Sequence, residues 1–434
     1  MLSQAAGHFD HICRKPAMTT TDTADVAVIG AGPAGLTAAA ILANDGLKVV
    51  VAERESEPGG IPRHSDHPGY GIRDMKTFIS GPAYARRLAG RAIKAGATIQ
   101  TNTMVTGWAG EMTLETTSPR GRNHLLARAI ILATGARERA RPARLIPGDR
   151  AAGVYTTGQL QNLVHLKHRA VGQRAVVVGA ELVSYSAVLT LKHAGCRTEL
   201  MTTEYPSPES YGLFNLAGKT PLMDVTIARR TRVTRIIGKP VVSGVEIENL
   251  DTGGRRVVPC DTVVFTGDWI PDHELARAAG LEIDPGTLGP VVDTALRTSR
   301  PGVFAVGNLL HPVDTADIAA LDGRHVATQV RAHLNGNRPA QSGVHIQAAD
   351  PLRWVAPNIL RPGDPAPARH RLLLWTDRLV RTPKVVAQQD GRTVGRKILP
   401  WPASPGRVFR VPSSILDGVD PRGSEVTISL ANAP

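Results

Sequence analysis

One segment near the N-terminus constrains the fold more than any other part of the 434-residue sequence. A short apolar run, 26–29, leads directly into the sequence GAGPAG at 30–35, and an alanine-rich stretch follows at 36–43. A second apolar run, 49–52, ends at Glu53. Apolar, β-branched runs of this length are typical of buried parallel strands. The order of strand, glycine-rich turn, helix, strand and acid predicts a βαβ unit that binds a dinucleotide.

Each glycine of the turn has a separate mechanical reason. Gly30 permits the tight turn from strand to helix, Gly32 lets a diphosphate approach the backbone, and Gly35 lets the helix pack closely on the strand. The diphosphate is expected at the helix N-terminus, where free N–H groups and the helix dipole favour negative charge. Glu53 stands where an adenosine ribose needs a hydrogen-bond acceptor.

Two later segments extend the pattern. Residues 129–135 form an apolar strand that ends in Ala-Thr-Gly, and residues 298–308 form another that ends in Gly-Asn. With the turn at 30–35, these motifs resemble the two-dinucleotide-domain flavoproteins, the family that includes thioredoxin reductase and the glutathione reductase group. The resemblance covers roughly residues 25–334. It implies an α/β fold in which an FAD/NAD(P)-binding Rossmann-like domain carries a second, inserted Rossmann-like domain.

The resemblance also implies FAD as the cofactor. In the family, the late strand brings a glycine and an acid to the ribityl and phosphate groups of FAD. This chain has Asn308 where the family usually has Asp, and an amide can still hydrogen-bond a ribityl hydroxyl. The cofactor-binding residues that the resemblance implies are Gly30, Gly32, Pro33, Ala34, Gly35, Glu53, Arg54, Gly60, Val105, Ala133, Thr134, Gly135, Gly307, Asn308, Thr315 and Ala316.

An internal repeat allows a comparison within the sequence. Residues 174–179 repeat the strand and turn at 25–30 with an offset of 149 residues, and Gly179 is kept. At this offset Glu181 replaces the second glycine, Ser184 replaces the third, and Thr202 replaces the acid. A side chain at position 181 obstructs a diphosphate, and its carboxylate adds charge repulsion. The degenerate site favours a second fold that no longer binds NAD(P); the alternative is an altered but working nicotinamide site.

Cysteine usage narrows the chemistry. Cys13, Cys196 and Cys260 are single, whereas the disulfide reductases of the family need a redox-active pair beside the flavin. Dithiol chemistry is therefore not expected, and the pattern favours a reducing, cytoplasmic setting. What remains resembles the FAD subunits of opine oxidase, proline dehydrogenase, hydrogen cyanide synthase and sarcosine oxidase. These oxidise a C–N bond of an amine or amino acid, usually with partner subunits. Several of them carry a cysteine cluster near the C-terminus. This sequence has no cysteine after Cys260.

The motif order predicts the domain organisation. The expected units are a flexible tail at 1–24, an FAD-binding domain at 25–150 and 263–338, an inserted domain at 151–262, and a linker with a small β-rich C-terminal domain at 339–434. Asp390 and Gly391 predict a hairpin turn in the last unit. Of the net charge of +13, +8 lies in residues 331–434, with 15 Lys and Arg against 7 Asp and Glu. No nucleic-acid-binding motif accompanies this charge, and no apolar run approaches the roughly 20 residues of a membrane-spanning helix.

Candidates for substrate chemistry lie on the segments expected near the flavin. His64 follows the Gly-Gly pair after the ribose acid, and His311 follows Gly307 and Asn308. Histidine titrates near neutral pH, so either is a candidate base, and both are expected at the same face or rim of the flavin ring. Arg63 and Tyr70 are the candidate substrate-binding residues, because an arginine can bind a carboxylate through two hydrogen bonds. No metal site is predicted.

Three functional classes stay open. The leading one is an FAD-dependent dehydrogenase or oxidase of an amine, amino acid or similar small metabolite. The second is an NAD(P)H-dependent flavoprotein reductase that passes electrons to a partner protein. The third is a non-catalytic FAD-binding subunit. The small-molecule substrate, a partner subunit or electron-acceptor protein, and the electron acceptor itself are not identified by the sequence.

Overall fold

The structure, a computed structural model, describes residues 20–210, 223–312 and 314–431. The sheets divide the chain into three units. The first fold comprises residues 21–138 and 269–334, and the second fold comprises residues 139–268. The C-terminal domain comprises residues 335–431.

The first fold is built on a seven-stranded sheet. In spatial order the strands are β5 Thr98–Gln100, β2 Val49–Ala52, β1 Thr21–Ile29, β8 Gly121–Leu132, β7 Thr113–Ser118 and β6 Met104–Gly110, with β19 Val303–Ala305 also paired to β8. The helices are α1 Pro33–Asn44, α2 Gly81–Lys94, α5 Glu274–Ala278 and α6 Ala316–Leu334. A small hairpin, β3 Pro68–Tyr70 with β4 Ile79–Ser80, lies beside the sheet.

Apolar side chains hold the parallel centre of this sheet together. Val26, Ala27 and Val28 of β1 are fully buried, and α1 packs against α6 over them. Strand β8 runs parallel to β1 and β19, and β2 runs parallel to β1. The carboxyl ends of these strands therefore meet at one edge, and every glycine motif of the first fold lies there.

Strand β1 begins earlier than the sequence pattern predicts. Residues 21–24, assigned to the flexible tail, form the start of the strand: Thr21 pairs with His124 and Ala24 with Ala127. The correction has a simple cause, since β8 is 12 residues long and provides backbone partners for this extension. The rest of the predicted tail, residues 1–19, lies outside the described residues.

The second fold has a parallel sheet of five strands and an antiparallel sheet of three. In spatial order the parallel strands are β10 Val154–Thr156, β17 Thr262–Phe265, β11 Arg174–Val178, β12 Arg197–Thr202 and β13 Ile227–Ala228. The antiparallel strands are β14 Thr231–Ile237, β15 Gly244–Asn249 and β16 Arg255–Pro259, and the helices are α3 Thr157–Gln161 and α4 Leu182–His193.

The boundary of the inserted unit also needs correction. The sequence pattern predicts that the FAD-binding domain resumes at residue 263. This residue lies in β17, however, and β17 pairs with both β10 and β11 inside the second fold. The chain returns only after Phe265, because this apolar, buried strand lies inside the second sheet between β10 and β11. The two crossings between the folds, β9 Ala136–Glu138 and β18 Trp269–Pro271, pair with each other as an antiparallel ribbon.

The C-terminal domain consists of two sheets around a separate apolar core. One sheet contains, in spatial order, β22 Ile359–Leu360, β20 Val344–Ala348, β27 Val426–Leu430, β24 Lys384–Gln389 and β25 Arg392–Ile398. The other contains β21 Leu352–Ala356, β23 Arg371–Thr376 and β26 Phe409–Pro412. The predicted hairpin is present: β24 and β25 pair antiparallel, and Asp390 and Gly391 both have positive φ.

The linker predicted at the start of the 339–434 unit also needs correction, because part of it is folded. Strands β20 and β21 lie within it and contribute buried residues to the core. None of the helices in the three described ranges is long and apolar enough to cross a membrane. In the same ranges, no group of three or more His, Cys, Asp or Glu side chains is arranged to hold a metal ion.

Candidate functional site

The glycine turn of the first fold is tightly packed at two of its glycines and open at the third. Gly30 has φ +102°, and a Cβ on it would lie 2.5 Å from the carbonyl oxygen of Ala133. A Cβ on Gly35 would lie 2.1 Å from the carbonyl oxygen of Gly30, so strand and helix exclude a side chain there. A Cβ on Gly32 would meet no described atom within 4 Å. The turn is therefore closely packed behind Gly32 and open in front of it, where a ligand needs space.

Helix α1 presents free backbone N–H groups to this space. Gly32 is the N-cap residue, Pro33 occupies the first turn, and no described side chain caps the helix. The N–H groups of Ala34 and Gly35 have no partner inside the helix at this end, as in any first turn. Such a terminus suits an anion, since the N–H groups and the dipole both favour negative charge.

Glu53 is held at the edge of the sheet beside the turn. It is 6% exposed, its Oε2 accepts a hydrogen bond from the Ala31 N–H at 2.8 Å, and its Oε1 accepts one from the Glu55 N–H at 2.8 Å. Each carboxylate oxygen keeps a further lone pair for a ribose hydroxyl. Gly60, with φ +63°, closes over the turn, because a Cβ on it would lie 3.0 Å from Cα of Gly32.

Asn308 carries a buried acceptor that the described protein does not use. Its Nδ2 donates to the carbonyl of Asp314 at 3.0 Å, and its Oδ1 is buried with no hydrogen-bond partner among the described residues. Buried polar atoms are normally satisfied, so this one points to a hydroxyl or other donor of a ligand. Gly307 has φ +71° and brings the Asn308 backbone close to α1, since a Cβ on it would lie 3.1 Å from Cβ of Ala34.

The remaining predicted cofactor residues occupy three kinds of position. Thr315 is the N-cap of α6, where its Oγ1 accepts from Arg73 and donates to Asp317, and Ala316 begins the helix. Ala133 and Val105 are buried in the core; the Thr134 hydroxyl donates to the Asp272 carbonyl at 2.7 Å, and the Gly135 carbonyl accepts from the Asp272 N–H at 2.9 Å. Arg54 is mostly exposed and lies beside Glu55 and Asp272.

These features fit FAD. The uncapped N-terminus of α1 suits its diphosphate, the buried Glu53 suits its adenosine ribose, and the unsatisfied Oδ1 of Asn308 suits its ribityl chain. A family profile described as pyridine nucleotide-disulphide oxidoreductase matches residues 24–323. The chain belongs to this family. It is an FAD-dependent oxidoreductase, and the broad resemblance drawn from the motifs is confirmed.

Relatives of the oxidoreductase have different activities. It is 27% identical over 347 residues to an opine oxidase subunit from Agrobacterium tumefaciens (strain Ach5), and the match covers 72% of this chain but only 65% of that relative, less than two-thirds of its length. It is 27% identical over 293 residues to thioredoxin reductase of Treponema pallidum (strain Nichols), and the match covers 66% of this chain and 88% of that protein. The crystal structure of T. acidophilum thioredoxin reductase has a TM-score of 0.62 and 21% identity, and covers 71% of this chain and 98% of that chain. The last comparison shows the shared fold.

The second fold of the oxidoreductase differs from the first at the equivalent helix. Glu181 is the N-cap of α4, so its carboxyl side chain stands at this helix end; the Ser184 Oγ accepts from the Glu181 N–H at 3.0 Å, and the Ser184 N–H donates to the Glu181 carbonyl at 3.1 Å. Gly179 keeps a positive φ of +123°, and Thr202 is 1% exposed at the end of β12. The second turn therefore retains its backbone shape, but a carboxyl side chain occupies its helix N-terminus.

His64 lies where the first fold contacts the second. It sits at the end of a short 3-10 helix, Ile61–His64, and its Nδ1 is 3.3 Å from Oε1 of Gln161. Burial lowers the pKa of His64 to about 4, which outweighs the opposite effect of the Gln161 hydrogen bond. The imidazole is therefore neutral at pH 7, the form that accepts a proton.

A network around His67 was missed as a unit at the level of sequence. Its Nε2 lies 2.7 Å from Oγ of Ser186 and 3.0 Å from Oγ of Ser65. Gln161 donates to both hydroxyls, at 2.7 Å to Ser186 and 3.2 Å to Ser65. Gln161 therefore contacts His64 directly and is linked to His67 through the hydroxyls of Ser65 and Ser186. No local motif signals this arrangement, because Ser65 and Ser186 are 121 positions apart in the sequence.

His311 has quite different surroundings from His64. It is 3% exposed, and its Nε2 lies 2.7 Å from Oδ2 of Asp322 in α6. The other oxygen of Asp322 pairs with Arg369, so this cluster lies where the C-terminal domain packs on the first fold. The described contacts of His64 and His311 have no residue in common. The expectation that both reach the flavin ring stays a prediction.

The two candidate substrate-binding residues are already engaged within the protein. Arg63 lies 3.6 Å from Glu55 and 3.8 Å from Glu57, so its charge is partly neutralised. Tyr70 packs between the rings of His67 and Tyr84, and burial raises the pKa of Tyr70 to about 12. Arg63 directly precedes His64 in the chain, and Tyr70 contacts His67 of the neighbouring network. To bind a substrate carboxylate, Arg63 must exchange at least one of its carboxylate partners.

Proposed function

We propose that this FAD-dependent oxidoreductase oxidises a C–N bond of an amine, amino acid or related small metabolite, and that electrons enter from this substrate and not from NAD(P)H. The observation that carries the proposal is the contrast between the two helix N-termini. In the first fold the N-cap of α1 is Gly32, which leaves the helix end open, and in the second fold the N-cap of α4 is Glu181, whose carboxyl side chain stands at the helix end.

The carboxyl group of Glu181 fills the position that a diphosphate needs. A Cβ on Gly267 would lie 2.2 Å from its Oε1, so the neighbouring backbone is packed directly against it. The side chain stands at the helix end where a phosphate would otherwise meet free N–H groups. These contacts support a second fold that does not accept NAD(P).

The cysteines support the exclusion of dithiol chemistry. Cys196 and Cys260 are free and buried in the second fold. Burial, with a smaller contribution from Asp261, raises the pKa of Cys196 to about 11 and that of Cys260 to about 12. A thiolate is the reactive form of cysteine, so neither residue is suited to exchange with a disulfide near neutral pH. Cys13 lies outside the described residues.

The chemistry then needs little from the protein besides placement and a base. Bound FAD supplies the hydride acceptor. A substrate that loses a hydride from carbon and a proton from nitrogen becomes an imine, which water converts to a carbonyl compound and an amine or ammonia. We assign the proton to His64, since its imidazole is neutral and its short helix begins after Gly60, which packs on the first glycine turn. The likeness to an opine oxidase subunit supports the C–N bond as the target.

A second candidate function is an NAD(P)H-dependent reductase that serves a partner protein. The similar identity to a thioredoxin reductase favours it. A non-catalytic FAD-binding subunit is the third reading, and a flavin that no tested compound reduces would support it.

The proposal is tested by mixing the purified holoprotein, without oxygen, with a panel of amines, amino acids, N-substituted amino acids and hydroxy acids. One or more C–N substrates should bleach the visible absorption band of the flavin, and a carbonyl product should appear in stoichiometric amount. Bleaching by hydroxy acids alone, or rapid bleaching by NADH or NADPH, would overturn the proposal.

A further inference from the structure

A loop of the C-terminal domain covers the N-terminus of α4 in the second fold. Residues 399–408 connect β25 to β26, and this segment is called the covering loop. Its Gly406 has φ +76°, and a Cβ on it would lie 2.5 Å from Cβ of Glu209 and 3.0 Å from Cγ of Glu181. The loop backbone therefore packs directly on two glutamate side chains, with no room for even a methyl group.

Both glutamates keep a carboxyl oxygen that nothing in the described chain satisfies. Glu209 is 6% exposed, and its Oε1 accepts a hydrogen bond from Oγ1 of Thr203 at 2.8 Å. Its Oε2, and Oε2 of Glu181, are buried without a hydrogen-bond partner among the described residues. An ionised carboxylate in such a place is costly, whereas a protonated one is tolerated.

Among the described residues, the surrounding charges do not neutralise the pair. Glu138 and Glu204 add negative charge near Glu181 and Glu209 respectively, and the rings of Tyr185 and Tyr205 lie close to Glu209. Arg144 is the cation that faces Glu181. Its guanidinium already donates to the carbonyls of Thr266 at 3.1 Å, Gly267 at 2.7 Å and Arg139 at 2.8 Å.

Burial raises the pKa of both acids. The pKa of Glu181 rises to about 8, through burial first and then the nearby Glu209 and Glu138. The pKa of Glu209 rises to about 7 through burial, against the hydrogen bond from Thr203. A solvated glutamate has a pKa of about 4.3, so the covered pair holds more protons than a released pair between about pH 4 and pH 8.

We propose that the covering loop is a proton-dependent lid, docked on the second fold while Glu181 and Glu209 are protonated and released as they ionise. The sign follows from the linkage between protons and docking. A raised pKa in the docked state means that docking is strongest at low pH, weakens as the pH rises toward about 8, and changes little above that. The lid goes beyond the proposed function and does not depend on the identity of the substrate.

The lid is tested by a distance measurement on the full-length holoprotein. One nitroxide label is placed on the loop at Pro400→Cys and another on the second fold at Arg197→Cys, with Cys13 replaced by serine, and electron–electron distances are measured at about pH 6 and about pH 9. A single narrow distance is expected at the lower pH, with a longer and broader distribution at the higher pH. Identical distributions at the two pH values would overturn the proposal.

Two sets of variants separate the lid from general unfolding. The double variant Glu181→Gln with Glu209→Gln carries neutral side chains of the same shape, so it should stay docked at both pH values. Glu246→Gln with Glu248→Gln, on β15 of the same fold, should keep the pH response of the parent. A pH response in the first pair as large as in the second would contradict the assignment.

The steric test uses two glycines of the same domain with the same backbone angle. Gly406→Ala should release the loop at both pH values, because the new methyl group meets Glu209. Gly363 also has φ +76°, but a Cβ on it would meet no described atom within 4 Å, so Gly363→Ala carries the same backbone strain without the contact. A docked Gly406→Ala variant, or a released Gly363→Ala variant, would count against the lid.

Discussion

Asn308 is oriented by Asp314: its Nδ2 donates to the Asp314 carbonyl at 3.0 Å, which fixes the amide and leaves its buried Oδ1 without a hydrogen-bond partner in the described chain. An aspartate, the usual residue of the family at this position, cannot donate that hydrogen bond. The Asn308 amide and the Asp314 carbonyl are therefore a matched pair. Asparagine makes a hydrogen bond here that the family's usual aspartate could not make.

The first prediction follows from this pair of residues. Asn308→Ala should weaken FAD binding by roughly fivefold, or about 1 kcal/mol, through the loss of one hydrogen bond. Asn308→Asp should also weaken it, because a carboxylate oxygen would replace the donor against the Asp314 carbonyl. Titration of the apoprotein with FAD, followed by flavin fluorescence, measures both. Tighter binding by Asn308→Asp than by the parent would show that the amide is not oriented as described.

The second prediction concerns the open side of the first glycine turn. Gly32→Asp should abolish FAD binding, since the new carboxylate would stand against the diphosphate at the N-terminus of α1. Gly90→Asp is the matched control, because Gly90 lies in α2 and also has no described atom within 4 Å of a built Cβ. The flavin content of the two purified variants is the measurement. Full occupancy in Gly32→Asp would remove the basis for placing the diphosphate there.

The third prediction addresses the attachment of the C-terminal domain. Nη2 of Arg410, in β26, lies 2.6 Å from Oδ1 of the buried Asp314, beside the Asn308 pair. Arg410→Gln leaves that carboxylate without its counter-ion and should lower the free energy of unfolding by about 3 kcal/mol. Arg410→Lys should restore part of the loss, and the exposed Arg392→Gln should change stability by less than about 0.5 kcal/mol. Urea unfolding curves compare the four proteins, and equal losses for Arg410→Gln and Arg392→Gln would contradict the attachment.

The fourth prediction concerns His64. If it accepts the substrate proton, His64→Asn should slow flavin reduction by about 10²–10⁴-fold while FAD stays bound. His345→Asn, an exposed histidine of the C-terminal domain, serves as the control. Because the pKa of His64 lies at about 4, its base form is present throughout the neutral range, and its titration should not limit the rate between about pH 6 and pH 8. Stopped-flow reduction at several pH values tests both statements; loss of FAD from His64→Asn would make the residue structural.

The parts of the fold that the sequence predicts correctly are those encoded locally. The turn at 30–35 needs only neighbouring residues, and Gly30, Gly32 and Gly35 have the steric surroundings expected of each. The hairpin at Asp390 and Gly391 is likewise a matter of two backbone angles. Aligning the two repeats of this chain at an offset of 149 residues also identified Glu181 as the counterpart of Gly32.

The parts that escaped prediction depend on contacts between distant segments. Strand β17 belongs to the second fold because β10 and β11 accept it as a neighbour, which its own apolar sequence does not specify. Similarly, Gly406 covers Glu181 although 225 positions separate them, and Ser186 meets His67 across 119 positions. Such pairings follow from packing of whole units, and a single sequence offers no local signal for them.

Rapid anaerobic mixing of the holoprotein with NADH and with NADPH distinguishes electron entry from a substrate at the first fold, as proposed, from entry through a nicotinamide at the second. We expect slow flavin reduction whose rate rises linearly with nucleotide concentration, since the Glu181 side chain stands at the N-terminus of α4 and the docked covering loop packs on it. Fast reduction that saturates with either nucleotide would show that the second fold binds a nicotinamide and that the proposed route of electron entry is wrong.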